Sequence, residues 1–205
     1  MPGTKAAGQS FKDTWSWNDA KEEWLDAIQD DWPAVYQAIE SAKLCHSDGM
    51  GGYIAFMTVR LVELHRVLKP TGSMYLHCDP SANSYLRVAC DAIFGKGNFR
   101  NEIVWCYPPG GRGPKYGYHR KHDTIFYYGK SPKHGYFDRP YRPLTESAIK
   151  KFTETDGDRR YKSYPGGRTY LDQMKGTPVA DWWTDIHSLG QTQSKERTGL
   201  SLIHI

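Results

Sequence analysis

The chain has 205 residues, 39% hydrophobic and 24% charged, which suits a soluble globular core with at most a small appended region. No apolar run approaches the roughly 18 residues that a membrane span requires. Residues Met1 to Ser10 are small and polar with no apolar stretch behind them, so neither a span nor a secretory signal is expected.

The net charge of +4 hides an asymmetry. Residues 1–95 carry 8 Lys/Arg against 12 Asp/Glu, residues 96–175 carry 17 against 8, and residues 176–205 carry 2 against 3. A basic stretch beside an acidic one points to a polyanionic partner, and a merely solvated basic surface is the plainer alternative. Cys45, Cys78, Cys90 and Cys106 have no close paired spacing. They read as reduced, mostly buried small hydrophobes of a cytoplasmic protein, with no metal site expected.

Residues 1–17 read as a lead and loop. From Asn18 to Lys43 the pattern is helical: Asn18 or Asp19 is placed to cap, Glu22 and Glu23 suit a first turn, and Pro33 breaks the run in two. Leu44 to Gly52 reads as a linker. Tyr53 to Leu68 carries one apolar stripe (Ile54, Met57, Leu61, Leu64, Leu68), and Pro70 and Gly72 end it. Ser73 to Cys78 is a buried strand. Ser81 is the expected cap of the next helix, whose inward face is Tyr85, Leu86, Ala89 and Ile93. Ile103–Tyr107 and Thr124–Tyr128 are further strands, separated by a Gly/Pro/basic loop from Pro108 to Lys121. The helix–strand alternation is that of a parallel α/β sheet, with the last two strands able to pair as a long hairpin. Beyond Lys130 the chain is rich in Pro, Gly, Tyr and basic residues, with a short helix near Glu146 to Thr153 and a strand–turn pair over Tyr161 to Tyr170.

His77 and Asp79 stand at the carboxyl end of the first strand, where ligands of open α/β sheets bind. A hydrogen-bonded core histidine and a helix-capping aspartate are the equally weighted structural alternatives. In the loop, glycines let the backbone approach closely, Arg112, Lys115, Arg120 and Lys121 can neutralise phosphates, and Tyr116 and His119 can stack on an opened base.

Several segments together resemble the amino-group DNA methyltransferases, which methylate N6 of adenine or N4 of cytosine. They are Arg60 to Ser73, Leu76-His77-Cys78-Asp79-Pro80, Asn98 to Trp105, and His122-Asp123-Thr124-Ile125. Weaker likeness runs through Trp15-Ser16-Trp17, Trp183 to Ile186 and Lys195 to Gly199. The resemblance implies an α/β fold, a partial Rossmann-like methyltransferase sheet with an appended target-recognition region. The implied division is 18–130 for the partial catalytic domain, 131–190 for target recognition and 191–205 for a truncated tail. It also implies double-stranded DNA as partner, with a cognate restriction endonuclease, in a bacterial or phage cytoplasm. His77 and Asp79 would wall a flipped base, as would Trp15 and Trp17, for which core packing is slightly favoured. Arg139 and Arg142, with Lys150, Lys151, Arg159, Arg160, Lys162 and Arg168, become candidate DNA contacts, most of them to phosphates.

The sequence departs from the family pattern at both ends. It has no Asp/Asn/Ser-Pro-Pro-aromatic tetrapeptide, because Tyr107-Pro108-Pro109-Gly110 has the wrong flanks, and no Phe-x-Gly-x-Gly. No catalytic residue is therefore assigned. The expected donor of the complete enzyme, S-adenosyl-L-methionine, is not expected to bind this chain well, and the chain reads as truncated and inactive alone. The alternative reading is a non-catalytic DNA-binding module of the same descent.

Overall fold

A computed structural model describes residues 15–107, 113–133 and 135–186. The chain divides into one unit of Met1–Tyr136 with Asp181–Ile205 and a second of Phe137–Ala180.

In the first unit a single turn, Trp17–Asp19, leads into helices α1 (Glu22–Asp31), α2 (Pro33–Cys45) and α3 (Asp48–Val67). The turn uses Asp19 differently from the sequence expectation: its Oδ2 accepts from Ser16 N at 2.7 Å and Ser16 Oγ at 3.0 Å. Helix α1 starts without a side-chain cap. Pro33 opens α2 at its first turn, where its missing N–H costs nothing.

Helix α3 begins five residues earlier than expected. Ser47 caps it by accepting from Met50 N at 3.2 Å. Gly49, Gly51 and Gly52, which read as linker residues, are helical, and neighbouring chain runs so close to them that a side chain would clash. A Cβ at Gly49 would lie 2.7 Å from the Trp15 carbonyl oxygen, and one at Gly51 would lie 2.6 Å from Lys43 Cβ.

Strand β1 (Ser73–Cys78) follows, then α4 (Asn83–Cys90), a π-turn over Asp91–Gly95, β2 (Phe99–Cys106) and β3 (His122–Gly129). Ser81 does not cap α4. Asp79 Oδ1 takes the N–H groups of Ser81 and Ala82, both at 3.1 Å. The sheet is mixed. With β9 (Trp182–Trp183) its order is β1-β3-β2-β9, β3 runs antiparallel to both neighbours, and β9 pairs parallel with β2. The expected hairpin of the last two strands is present, but its second strand is inserted between β1 and β2. Those two run in the same direction without touching as a ladder.

One face of the sheet makes the core. Met74, Leu76 and Cys78 of β1 stand opposite Tyr128, Phe126 and Thr124 of β3. They pack with Val35, Ile39, Ile54, Leu61, Leu86 and Phe94 from the helical layer. Alternation along the strands sends Tyr75 and His77, Ile103 and Trp105, and Asp123, Ile125 and Tyr127 to the second face. Of the cysteines, Cys78 and Cys90 are buried, Cys106 is half-buried and Cys45 is exposed. Burial pushes the Cys90 thiol up to about 12.

The second unit contains the pair β4 (Tyr141–Arg142) and β8 (Thr177–Pro178) and a short helix α5 (Glu146–Ile149). It also holds an antiparallel meander of β5 (Glu154–Asp156), β6 (Arg159–Tyr164) and β7 (Gly167–Tyr170). Thr145 Oγ1 caps α5 by accepting from Ala148 N at 3.2 Å.

Candidate functional site

The carboxyl ends of β1 and β2 and the amino end of β3 meet at one end of the sheet, and polar and aromatic side chains converge there. His77 Nε2 lies 2.9 Å from Asp123 Oδ2. The pair is largely buried, with side-chain exposures of 23% and 10%. Trp105 stands beside it, its ring centroid 5.8 Å from that of His77. Its indole N–H donates to the Ile186 carbonyl at 2.8 Å.

Tyr107 packs edge-on against Trp105 at 5.3 Å. Burial, then its hydrogen bond to Asp123, then the charges of Asp123 and Asp79 raise its phenol well above the usual range. Tyr53 of α3 belongs to the helical layer, its phenol pushed up to about 12 by burial first and then by Cys78 and Asp79. An elevated phenol stays protonated and remains a hydrogen-bond donor at neutral pH.

The two residues expected here have different duties. His77 faces the second side of the sheet within the cluster. Asp79 is half-buried and commits one oxygen to the turn before α4. Sequence reading missed Asp123, Tyr107 and Trp105. The available signal was a charged residue inside an otherwise apolar strand, His122-Asp123-Thr124-Ile125. Trp15 packs on α3, 4.2 Å from the Phe56 ring and 6.0 Å from that of Tyr53. Trp17 lies under Lys43 Nζ at 3.6 Å. Both therefore act in packing the helical layer. A separate apolar concavity lined by Leu64, Val67, Leu68 and Met74 lies at the amino end of β1, away from this cluster.

The basic loop rises from the same end of the sheet. Tyr107 N donates to the Lys121 carbonyl at 2.8 Å, closing its base. Arg112 lies outside the described residues. Pro114, Tyr116, Gly117, Tyr118, His119 and Arg120 line a polar hollow. Tyr116 and Tyr118 are 84% and 98% exposed, and Lys115 Nζ lies 5.1 Å from the Tyr116 ring.

In the second unit Arg139 is exposed and Arg142 half-buried. Three of its other cations are engaged within the unit. Arg159 forks onto Asp172 at 2.7 and 3.0 Å. Arg160 donates to the Phe152 and Ile149 carbonyls. Arg168 lies 3.8 Å from Asp156 and 4.6 Å from the Tyr161 ring.

A family model described as DNA methylase (N6_N4_Mtase) matches residues 9–199, nearly the whole chain. The chain belongs to the DNA methylase family.

Among curated DNA methylases it is 34% identical over 79 residues to the type II methyltransferase M.KpnI of Klebsiella pneumoniae, covering 38% of this chain and 19% of that protein. It is 32% identical over 123 residues to M.BglII of Bacillus subtilis, covering 57% and 34%. With M.BamHI of Bacillus amyloliquefaciens it shares 29% over 154 residues, covering 73% and 33%. The chain thus spans about a fifth to about a third of these relatives. Among the described residues, no helix is long and apolar enough to cross a membrane and no cluster of His, Cys, Asp and Glu is arranged to hold a metal.

Proposed function

We propose that this chain is the target-base side of a site-specific DNA amino-methyltransferase acting on an exocyclic amino group, adenine N6 in preference to cytosine N4. The observation that carries this reading is the convergence of His77, Asp123, Tyr107 and Trp105 at the strand ends from which the basic, tyrosine-bearing loop rises. A base must leave the duplex before its amino nitrogen can be reached. An aromatic wall with buried polar groups suits an extruded base, and a loop carrying Lys115, Tyr116, His119, Arg120 and Lys121 suits the backbone beside it. Under this reading β1, β2 and β3 are the base-facing portion of a Rossmann-like sheet. Residues 131–190 are a target-recognition region, with Arg139 and Arg142 among its contacts. The setting is a bacterial or phage cytoplasm with a cognate endonuclease.

S-adenosyl-L-methionine is the methyl donor of the complete enzyme. The residues of this site do not fit it: the chain has neither the Phe-x-Gly-x-Gly segment nor the Pro-Pro-aromatic tetrapeptide, and no step through the donor is assigned to its side chains. The chain is accordingly expected to be inactive by itself. The second reading, a DNA-binding module without catalysis, is favoured by the same absence. Fluorescence anisotropy with duplex DNA over a salt series tests what both readings share. Binding whose log K falls with log salt supports them, and lack of binding refutes them. Calorimetric titration with S-adenosyl-L-methionine then tests the donor assignment, and tight binding by this chain would overturn it.

A further inference from the structure

We propose that Asp123 is a positioning residue that fixes the tautomer of His77, so that His77 offers an acceptor nitrogen to the exocyclic amino group of a bound base. This rests on the base-site reading above.

A carboxylate accepts hydrogen bonds and does not donate them, and a neutral imidazole has one N–H and one acceptor nitrogen. With His77 Nε2 at 2.9 Å from Asp123 Oδ2, the proton belongs on Nε2 and the lone pair on Nδ1. The contact is tertiary, joining β1 to β3 across 46 residues of sequence. The β1–β3 ladder fixes it, with His77 opposite Ile125 and Asp123 opposite Trp105 on the next strand. Trp105 flanks the imidazole ring at 5.8 Å and is itself pinned through its indole N–H to Ile186. Asp123 is one of the few buried polar residues of the sheet, 7% exposed.

An acceptor nitrogen beside an aromatic wall distinguishes bases by their donors. The amino groups of adenine and cytosine each present an N–H, whereas a ring without that group leaves the acceptor unpaired in a partly buried site. Leaving a buried acceptor unpaired weakens binding by roughly fivefold to 150-fold. Toward the base Asp123 acts through His77, while it also takes the hydrogen bond of Tyr107.

The test is 15N–1H NMR of the histidine side chains in the whole chain, with 2′-deoxyadenosine, 2′-deoxycytidine and purine 2′-deoxyriboside as probes. The last is the adenine nucleoside without its amino group. The expected wild-type spectrum has His77 protonated at Nε2 and unprotonated at Nδ1. Asp123→Asn, which offers one acceptor and one donor in place of two acceptors, should reverse or mix that pattern. The two amino nucleosides should move the Nδ1 resonance, and purine 2′-deoxyriboside should bind about tenfold more weakly and leave it in place. A wild-type His77 protonated at Nδ1 overturns the positioning role whatever the nucleosides do. The expected tautomer with equal responses to the amino and amino-free purines overturns the readout of the amino group. The expected tautomer with no response to any nucleoside overturns the base-site reading and the proposal with it. If Asp123→Asn does not fold, the wild-type tautomer and the nucleoside comparison still decide.

Discussion

The hydroxyl of Tyr128 donates to Asp91 Oδ1 at 2.6 Å, joining the middle strand of the sheet to the π-turn that ends α4. The other oxygen of Asp91 receives Arg87 at 3.1 Å, and the Arg87 guanidinium lies 3.5 Å from the centre of the Phe99 ring. Burial, with the hydrogen bond to Asp91 next, raises the Tyr128 phenol above its ordinary value and keeps it a donor. Tyr128→Phe preserves the packing against Phe94 and Phe99 and removes only this bond. Because Asp91 keeps Arg87 as a partner, the expected loss is about 1 kcal/mol of unfolding free energy, near the average for one hydrogen bond. Urea denaturation of the variant against wild type reads it, and an unchanged midpoint would show the bond to be energetically idle.

Gly51→Ala should destabilise, although alanine is ordinarily better by about 1 kcal/mol within a helix. The new methyl would meet Lys43 Cβ at 2.6 Å and its Cα at 3.1 Å, so α2 and α3 would have to part. Overpacking of this kind costs about 1–3 kcal/mol. Gly97 has nothing within 4 Å of its ideal Cβ, and Gly97→Ala should be neutral or gain about 0.4–1 kcal/mol from the unfolded chain. Opposite signs in thermal melts of the two variants are the expected result.

The second unit should loosen in acid. Its bond to Arg159 lowers the Asp172 carboxyl below the ordinary 3.8, and hydrogen bonding to Ser163 lowers Glu154 below 4.5. A carboxylate depressed in the folded state contributes stability that is complete above its unfolded value and lost as pH falls through the folded one. Protection of the β6 and β7 amides, relative to the intrinsic exchange rate at each pH, should therefore fall below about pH 4, and Asp172→Asn should flatten part of that dependence. Both carboxylates are exposed, so the effect is modest and should shrink in high salt.

Tyr118→Ala should leave stability unchanged, since the side chain touches almost nothing at 98% exposure. If the loop meets nucleic acid, the same change should weaken binding to single-stranded or base-opened DNA by about 1–3 kcal/mol, the worth of one base stacked on an aromatic ring. Arg120→Ala and Lys121→Ala should instead reduce the slope of log K against log salt, by about 0.9 for each phosphate no longer neutralised. Anisotropy titrations separate the two, and a Tyr118 effect on stability without one on binding would reassign the residue to the fold.

Much of the first unit was legible because its elements are periodic. The stripe ending at Leu68, the apolar run Ser73–Cys78 and the Pro33 break are local signals, and the structure places helices and strands on them. The start of α3 was not legible: Gly49, Met50, Gly51 and Gly52 read locally as a breaker, and their role is set by the backbone of Trp15 and Ser16 and by Lys43. Strand β9 escaped because two tryptophans have no period. Insertion of β3 between β1 and β2 leaves no trace in spacing, since a hairpin reads the same whether it lies outside the sheet or within it. His77 stood out by its position at a strand end. Its partner Asp123 did not, because a contact between distant strands belongs to the register rather than to either segment. Asn98, Phe99 and Arg100, which carry part of the family likeness, serve the scaffold. Asn98 Nδ2 donates to the Phe94 carbonyl at 2.6 Å, Phe99 packs on Tyr128, and Arg100 donates to the Ser131 and Pro132 carbonyls.

The inserted position of β3 also governs how the polypeptide can be assembled during synthesis. Ser73–Cys78 leaves the ribosome before its only ladder partner among the described residues, His122–Gly129, has been made. At about 5–20 residues per second, translation of the intervening segment takes several seconds. Through that interval the helical layer, made before it, is what this chain offers the nascent strand, and the β1–β3 ladder forms once His122–Gly129 has been made.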